Sequence, residues 1–421
     1  MGPNHGFRRV RSEVMSIGKL MKSPPLNSDT SLALILVMNV FSWYFPLYIF
    51  LTDNLKDVGI GYLESLIVFG SHIIAFLLSA MIATNLAEKF ASRRTLLVIW
   101  ALLGILSSSF LFVLRSGDLL RISAVAISIG IALGFGLPTC LAYFADSTGT
   151  ENRGRVAGLT FFVALLGMLS IGFLTIVVSF LESVIIFTAW RAVGLVAFAM
   201  KKRKIEAQKK IKTDFRAIIS ERSFVLYLAP WIMFCLINFF EYPLQQFYWG
   251  IGASSIVSTV EFGISSVSAL IGGFFADAVG RKRLVILGYV LLGIGYALLS
   301  ISPVYPIFIG VWTILDGIAW GLFALIFFTV IWGDIAKDRM KERYYFLGAL
   351  PFLISSYVSV IIAPYVEAIS ISASFSLASF FLFIAVLPLM YAPETLPEKE
   401  IRKKELKDYI DKAKRVKEKY T

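Results

Sequence analysis

The chain has 421 residues, a formal net charge of +12, 57% hydrophobic residues and only 16% charged residues. A soluble domain carries about a quarter of its residues charged, so this composition is typical of an integral membrane protein. Two cysteines and two histidines exclude a disulfide framework and a metal cluster, and we expect no metal, no cofactor and no enzymatic activity.

Twelve apolar segments are long enough to cross a hydrocarbon core of about 30 Å as helices. Charged residues are concentrated between these segments, which predicts an all-α integral membrane protein. The predicted spans lie near residues 30–51, 58–86, 95–114, 119–145, 155–179, 184–200, 223–247, 254–276, 284–302, 306–332, 344–366 and 372–392.

The charged segments predict the domain organisation and the orientation. Residues 1–29 form a basic arm without the apolar stretch of a signal peptide, and residues 393–421 form a charged tail. The basic linker 201–222 separates a first six-helix bundle, 30–200, from a second, 223–392. Because cations accumulate on the side of both termini, we place the termini in the cytoplasm and the protein in the plasma membrane. Anionic lipid headgroups account for the positive charge, so we expect no nucleic-acid partner.

A charged hinge occurs in each half between its second and third spans. Aligning TNLAEKFASRR with GGFFADAVGRKR pairs Glu88 with Asp277, Arg93 with Lys282, and Arg94 with Arg283. A second hinge follows the fourth span of each half and pairs Asp146 with Asp334 and Arg155 with Arg343. Two hinges at matched positions predict parallel repeats about an axis normal to the membrane.

The segment GGFFADAVGRKR resembles the loop signature of the major facilitator superfamily. It matches that signature at Gly273, Ala276, Asp277, Gly280, Arg281 and Lys282, whereas the first-half copy is degenerate. The Gly-rich fourth span, AISIGIALGFGLP, is also similar to the family, although Ala126 stands where many members carry Arg. The resemblance covers residues 30–392 and implies twelve transmembrane helices in two pseudo-symmetric six-helix bundles that rock about a central cavity.

The hinges are predicted to close the cytoplasmic side of that cavity. Asp277 can cap the N-terminus of a neighbouring helix, where aligned peptide dipoles favour an anion, and the glycines allow backbones to approach closely. Alternatively, the hinge cations only fix the topology. The predicted gate comprises Glu88, Arg93, Arg94, Asp146, Arg155, Gly273, Asp277, Gly280, Arg281, Lys282, Asp334 and Arg343.

Placing an ionisable side chain in the hydrocarbon core costs free energy, so we expect each such residue to have a structural or functional role. Asp316 lies in the outer half of span ten, which lines the cavity in the family, and it is our main candidate for coupling or substrate contact. Glu261 and His72 occupy pseudo-symmetric positions, and a pair between them across the cavity would titrate near neutrality. The alternative for each is a polar packing contact. Glu64 and Glu241 are expected at the wet outer surface.

Three further polar residues lie at span centres. Arg191 is at the midplane of span six, where it has a substrate role, reaches the interface, or pairs with an acid. Asn39 and Asn238 lie in the polar-aromatic stretches of spans one and seven, and we expect them to line the cavity. The aromatic residues of these stretches either line the cavity or form the outer aromatic belt, and we favour the belt for the later ones. They are Trp43, Tyr44, Tyr48, Tyr242, Tyr248 and Trp249.

The end of the last span resembles the sugar porters of the family only in part. Pro393, Glu394 and Thr395 match their terminal motif, whereas Gln245 and Gln246 come later than the paired glutamines of span seven in those porters. The acidic motif that those porters carry after span six is replaced by MKKRK. A sugar substrate is therefore one possibility among several.

The leading hypothesis is a secondary active transporter that moves a small organic solute by alternating access, driven by a proton or solute gradient. A Walker-type phosphate loop and a filter-like loop are both absent from the sequence, which disfavours an ATPase and a channel. The alternative is a non-transporting membrane sensor or scaffold with the same fold. The expected partners are a small-molecule substrate, a coupling proton and membrane lipids, and we expect a monomer.

Overall fold

The computed structural model describes residues 27–89, 93–116, 118–199 and 211–396. Most of the predicted arm and tail, and residues 201–210 of the predicted linker, lie outside the described residues. Within them, twelve helices are long and apolar enough to cross a membrane. The predicted all-α, twelve-span fold is confirmed.

We number the spanning helices α1 to α12 in chain order. The first six are Ser28–Asp57, Tyr62–Lys89, Arg93–Phe110, Leu119–Ser147, Arg153–Val177 and Phe180–Ala199. The second six are Arg222–Trp249, Ile251–Val279, Arg281–Leu299, Ile307–Leu325, Lys341–Ile362 and Ile371–Ile384. Both termini of the spanning part lie on one face, which we call the terminal face, and the opposite side is the far face.

Short irregular elements extend several spans. A π-helical turn, Ile326–Val330, and a helix, Ile331–Ala336, continue α10 to the terminal face. The 3₁₀ turns Leu111–Ser116 and Ala363–Ala368 end α3 and α11, and the helix Val386–Tyr391 continues α12. One short helix of the linker, Phe215–Ile219, precedes α7.

Every predicted span overlaps one helix, but α5 and α9 begin earlier than predicted. These helices start at Arg153 and Arg281, two cations that the prediction placed just before the spans. Both side chains are buried in ion pairs on the terminal face. Their charges are therefore compensated inside the protein, and the helical backbone continues through them.

The two halves meet where α5 packs on α8 and where α2 packs on α11. A Cβ atom on Gly273 would lie 2.5 Å from the carbonyl oxygen of Gly154, and one on Gly158 would lie 2.5 Å from that of Ala269. Only glycine allows the backbones of α5 and α8 to come this close. Gly280, with φ of +105°, turns the chain sharply from α8 into α9.

Within the first half, α3 and α4 pack through one glycine and one tryptophan. The indole of Trp100 is fully buried, and a Cβ atom on Gly136 would lie 1.9 Å from its Cγ atom. The ring thus fills the place that any larger residue at Gly136 would occupy, and it sets the distance between the two helices.

We predict that Gly136→Ala destabilises the protein by about 1–3 kcal/mol, because the added methyl group overpacks the contact with Trp100. Thermal unfolding of the detergent-purified protein measures the effect. The matched control is Gly172→Ala in α5, where no atom lies within 4 Å of the added Cβ atom. The control should unfold at or above the wild-type temperature, and equal melting points for the two variants would show that this contact does not limit stability.

Candidate functional site

The terminal face is closed by a layer of ion pairs centred on Asp277 at the end of α8. One carboxylate oxygen of Asp277 accepts from the backbone N–H of Gly154 and the other from that of Arg155, both at 2.9 Å. The side chains of Arg155 and Arg281 each approach within 3.2 Å of this carboxylate. Asp277, only 2% exposed, therefore caps the N-terminus of α5, a helix of the other half.

Asp334, in the short helix that continues α10, pairs with two cations. Its carboxylate accepts from Nε of Arg281 at 3.1 Å and from a guanidinium nitrogen of Arg153. Arg153 was not among the predicted gate residues. It is the first arginine of the segment NRGR, of which only the second, Arg155, was chosen from the sequence.

The first-half hinges form a matching set of contacts. Arg93 pairs with Asp146 at 2.5 Å, and Lys341 from α11 pairs with the same carboxylate. Glu342 approaches the other side of Arg93, and Glu88 pairs with Arg343. Lys341 and Glu342 were missed, because the predicted gate contained only acids and cations that the alignment repeats in both halves, together with the residues of the loop signature.

These contacts shift the predicted pairing of Arg93 by one residue. Arg93 binds Asp146 as Arg281 binds Asp334, so Arg93 is equivalent to Arg281 and not to Lys282. The Nζ atom of Lys282 donates instead to the carbonyl oxygen of Met390 at 2.8 Å. The guanidinium of Arg94 lies over the ring of Phe198, 5.4 Å from its centroid. Lys282 and Arg94 thus lie beside the ion-pair layer.

Glu394, from the terminal Pro-Glu-Thr segment, completes the layer. Its carboxylate accepts from the backbone N–H groups of Arg281 at 2.8 Å and Lys282 at 3.2 Å, so it caps α9. A Cβ atom on Gly280 would lie 2.3 Å from this carboxylate, which is a second reason for glycine there. Thr395 donates to Asp334 at 3.3 Å. The sequence identified this segment only by resemblance, and its capping role was missed.

An aromatic layer lies above the ion pairs, towards the far face. Phe41 of α1 lies 5.1 Å from Phe161 of α5 and 5.0 Å from Phe328 of α10, measured between ring centroids. Phe328 in turn lies 5.2 Å from Phe352 of α11. Rings from both halves therefore meet at the centre of the molecule and separate the ion pairs from the space above them.

Above this layer is a pocket of about 420 Å³, lined by helices of both halves. It reaches the far-face ends of its helices at Thr52, Gln246 and Ala363, and its lower end is Phe328 and Phe352. The pocket is thus continuous towards the far face and closed towards the terminal face. Asn238, as predicted, is among its lining residues, together with Gln245 and Gln246.

Glu261 of α8 and Asp316 of α10 both line the pocket, and their carboxyl groups are in hydrogen-bond contact with each other. Two side-chain hydrogen bonds hold the helices in register beside them: Ser265 donates to the carbonyl oxygen of Gly317 at 2.9 Å, and Ser268 donates to that of Ile318 at 2.7 Å. Glu241 of α7, expected at a wet surface, is 1% exposed and lies near Tyr296, which also approaches Glu261 and Asp316.

His72 does not meet Glu261, which corrects the predicted pair. Its ring nitrogens contact the hydroxyl of Tyr44 and the carbonyl oxygen of Ala126, each at 3.0 Å. These partners hold the imidazole inside the first half, between α1, α2 and α4. The alternative stated from the sequence, a polar packing contact, describes His72.

Arg191 and Asn39 bind each other away from the pocket, while the other two guanidinium nitrogens of Arg191 have no hydrogen-bond partner among the described residues. Arg191 donates to the side-chain oxygen of Asn39 at 2.6 Å, and Asn39 donates to the carbonyl oxygen of Trp190 at 2.6 Å. The guanidinium lies 4.1 Å from the ring centroid of Trp100 and 5.0 Å from that of Trp43. Arg191 therefore has an amide and two indoles for partners, neither the acid nor the membrane interface expected for it, and Asn39 does not line the cavity.

The assignment to an outer belt is corrected for four of the six aromatic residues. Trp43 is fully buried and donates to Ser108 at 2.8 Å, while Tyr44 is buried beside His72. Tyr48 and Tyr242 line the pocket. A belt and a cavity wall both favour amphipathic rings, so composition alone does not separate them.

Comparison with known proteins agrees with this architecture. The Major Facilitator Superfamily profile matches residues 2–172. The glucose transporter GlcP of Staphylococcus epidermidis is 23% identical over 84% of this chain and 90% of its own length. Among solved structures, the proton:xylose symporter XylE has a TM-score of 0.66 at 15% identity, over 87% of this chain and 96% of that one. The E. coli fucose:proton symporter FucP has a TM-score of 0.67 at 11% identity, over 87% and 98%.

A third solved structure, the human organic anion transporter MFSD10, has a TM-score of 0.63 at 14% identity, over 87% of this chain and all of that one. At these identities the structural likeness establishes the fold alone. The resemblance to the major facilitator superfamily, predicted from the hinges, is confirmed.

We predict that Asp277→Asn loosens the terminal face, because the amide cannot pair with Arg155 and Arg281 although it can still accept one backbone hydrogen bond. The distance between spin labels on cysteines introduced at Glu151 and Asp338, exposed loop residues of opposite halves, should shift to longer values. The native Cys140 and Cys235 are buried and should not react.

The matched control for this variant is Asp118→Asn, which alters an exposed N-cap on the far face. Asp118 accepts from the N–H of Leu120 at 3.2 Å at the start of α4. Its replacement should leave the distance distribution unchanged. If Asp277→Asn also leaves it unchanged, the ion pairs of Asp277 do not hold the terminal face closed.

Proposed function

We propose that this protein is a secondary active transporter that carries a small organic solute by alternating access. The chain has the fold of the major facilitator superfamily, and the profile of that superfamily matches residues 2–172. The observation that carries this proposal is the pocket of about 420 Å³ between the halves. It is continuous towards the far face and closed towards the terminal face by contacts that join the two halves. A binding space closed on one side only is what alternating access requires of one of its two states.

The closing contacts are suited to reversal. Each of the charged pairs Asp277–Arg155, Asp334–Arg153 and Glu88–Arg343 joins residues of opposite halves. Separation of the halves breaks the pairs but exposes both partners to water, and hydration offsets much of the lost attraction. The closed and open states can therefore differ by little free energy, and the occupant of the pocket can decide between them.

The contact between Glu261 and Asp316 supports proton coupling. Two carboxyl groups in contact inside a membrane cannot both be ionised without a large repulsion, so they share a proton. A proton bound there lies directly on the wall of the pocket, so its binding free energy depends on whether the pocket is occupied. Two of the solved structures similar to this chain, XylE and FucP, are proton symporters of xylose and fucose.

The distribution of charge supports the proposed location and orientation. The cations of the ion-pair layer lie on the terminal face, and so does Lys212 of the described part of the linker. Because cytoplasmic loops carry an excess of Lys and Arg, we assign the terminal face to the cytoplasm and the protein to the cell membrane. The pocket then faces the exterior in this structure.

We predict that Asp316→Asn lowers proton-driven accumulation of the transported solute at least about tenfold, which corresponds to the loss of about 1.4 kcal/mol of coupling. The measurement is uptake into proteoliposomes under an imposed proton gradient, with a radiolabelled panel of sugars, amino acids, amines and organic acids. Exchange of the same solute without a gradient should persist in the variant. The control is wild-type protein with a protonophore.

A wild-type protein that binds a panel member but never accumulates or exchanges it would contradict the proposal. That result would favour the alternative, a membrane sensor or scaffold that keeps the fold without transport.

A further inference from the structure

We infer that the solute of the pocket is a small organic cation, a protonated amine or quaternary ammonium that also carries a hydroxyl or carbonyl oxygen. The inference deepens the proposed function and rests on it, because it concerns the same pocket. Neither the sequence motifs nor the known relatives assign this class of ligand, and three features of the pocket wall lead to it.

The first feature is the sign of the charge. The ionisable side chains that line the pocket, apart from tyrosines, are Asp53, Glu261 and Asp316, and none of the lining residues in the described part of the chain is Lys, Arg or His. A carboxylate inside the membrane needs a partner of opposite sign. A cationic ligand beside Glu261 and Asp316 supplies that partner and favours ionisation of the pair, whereas an anionic ligand would add to the repulsion.

The groups that face the pair from the neighbouring helices do not change this sign. They are Tyr296 from α9, Glu241 and Tyr242 from α7, and, beyond Tyr242, Asp53 from α1. From α5, the lining residues are Phe161, Ala164, Leu165 and Met168, which do not ionise. Every ionisable neighbour described is thus acidic or a neutral phenol, and an anionic ligand would meet only like charge.

The second feature is the aromatic surface around Asp316. Trp312 and Trp320 lie one turn of α10 before and after it, at i−4 and i+4, so the three side chains share one face of the helix. All three line the pocket, and Tyr296 adds a ring 5.9 Å from that of Trp312. Aromatic faces beside a carboxylate attract an ammonium group through their quadrupoles as well as through its charge.

The third feature is the set of amide groups on the pocket wall. The side chains of Asn238, Gln245 and Gln246 line the same pocket as Glu261 and Asp316. An amide group both donates and accepts hydrogen bonds, and a buried polar group needs a partner. An oxygen on the ligand would bind to these amides. This is why we specify an oxygen as well as a charge.

The test compares two matched pairs of probes by titration calorimetry on the purified full-length protein, at neutral pH, where choline is charged and most of the amine of glucosamine is protonated. Choline is compared with 3,3-dimethylbutan-1-ol, which has carbon in place of the charged nitrogen, and glucosamine is compared with glucose. We expect the cation of at least one pair to bind at least about tenfold more tightly than its neutral partner. In Asp316→Asn this preference should fall below about threefold.

Two further variants make the result specific. Glu261→Gln tests the second carboxyl and replaces Asp316→Asn if that variant does not fold. Glu64→Gln is the control, because this carboxylate binds the N–H of Gly61 at 2.7 Å near the far face and does not line the pocket. The control should keep the full preference for the cation.

A neutral probe that binds as tightly as its cation would overturn the inference, and so would a cation preference that persists in both Asp316→Asn and Glu261→Gln. Tight binding of glucose would then leave the proposed transport intact with a neutral solute. Failure of all four probes also overturns the inference, whereas the proposed function is decided separately by the uptake panel. The two failures are therefore distinguishable.

Discussion

The structure depends on one contact that occurs twice, an acid at the end of one helix held against cations of the other half. In the second hinge Asp277 binds both the side chain of Arg155 and the first N–H groups of α5. In the first hinge, the partners of Glu88 among the described residues are the side chains of Arg343 and Lys212. The first copy thus lacks the helix cap. The linker supports it: Thr213 accepts from Arg343 at 2.7 Å, and Ile211 forms a backbone bridge with Arg339. The first-hinge contact, which lacks the helix cap, is therefore reinforced by residues of the linker. Closure of the terminal face thus involves the segment that joins the halves.

Helix α10 and its continuation to the terminal face connect the pocket wall, the aromatic layer and the ion-pair layer. Its far-face portion carries Asp316 on the pocket wall, Phe328 belongs to the aromatic layer, and Asp334 belongs to the ion-pair layer. The π-helical turn Ile326–Val330 includes Phe328 and precedes Asp334. Such a turn widens the helix by one residue and shifts the register of the residues after it, and π turns are frequent at functional sites. A change at the pocket wall can reach the ion pairs along one continuous element, without a chain of loop contacts.

The sequence predicted the fold and the capping residue well, because both depend on local signals. Span lengths and charged hinges are read directly from the chain, and Asp277 was recognised from its place in a hinge. The partners across the halves were predicted poorly. Glu342 and Lys341 have no distinctive local pattern, and they become gate residues only because α11 packs against α2 and α4. The predicted contact between His72 and Glu261 was wrong for the same reason, because equivalent positions in two repeats need not face each other.

The two halves also differ in where they place charge inside the membrane, and this difference explains the character of the pocket. The first half hides its cation: Arg191 lies between two indoles, with Asn39 as its hydrogen-bond partner, and Gly104 leaves room for it. The second half presents its acids, with Glu261 and Asp316 on the pocket wall. Had Arg191 reached the pocket, it would have neutralised the pair, and the wall would be equally suited to neutral solutes. Because the cation is held elsewhere, Glu261 and Asp316 lie on a wall that carries aromatic faces and no basic side chain among the described residues.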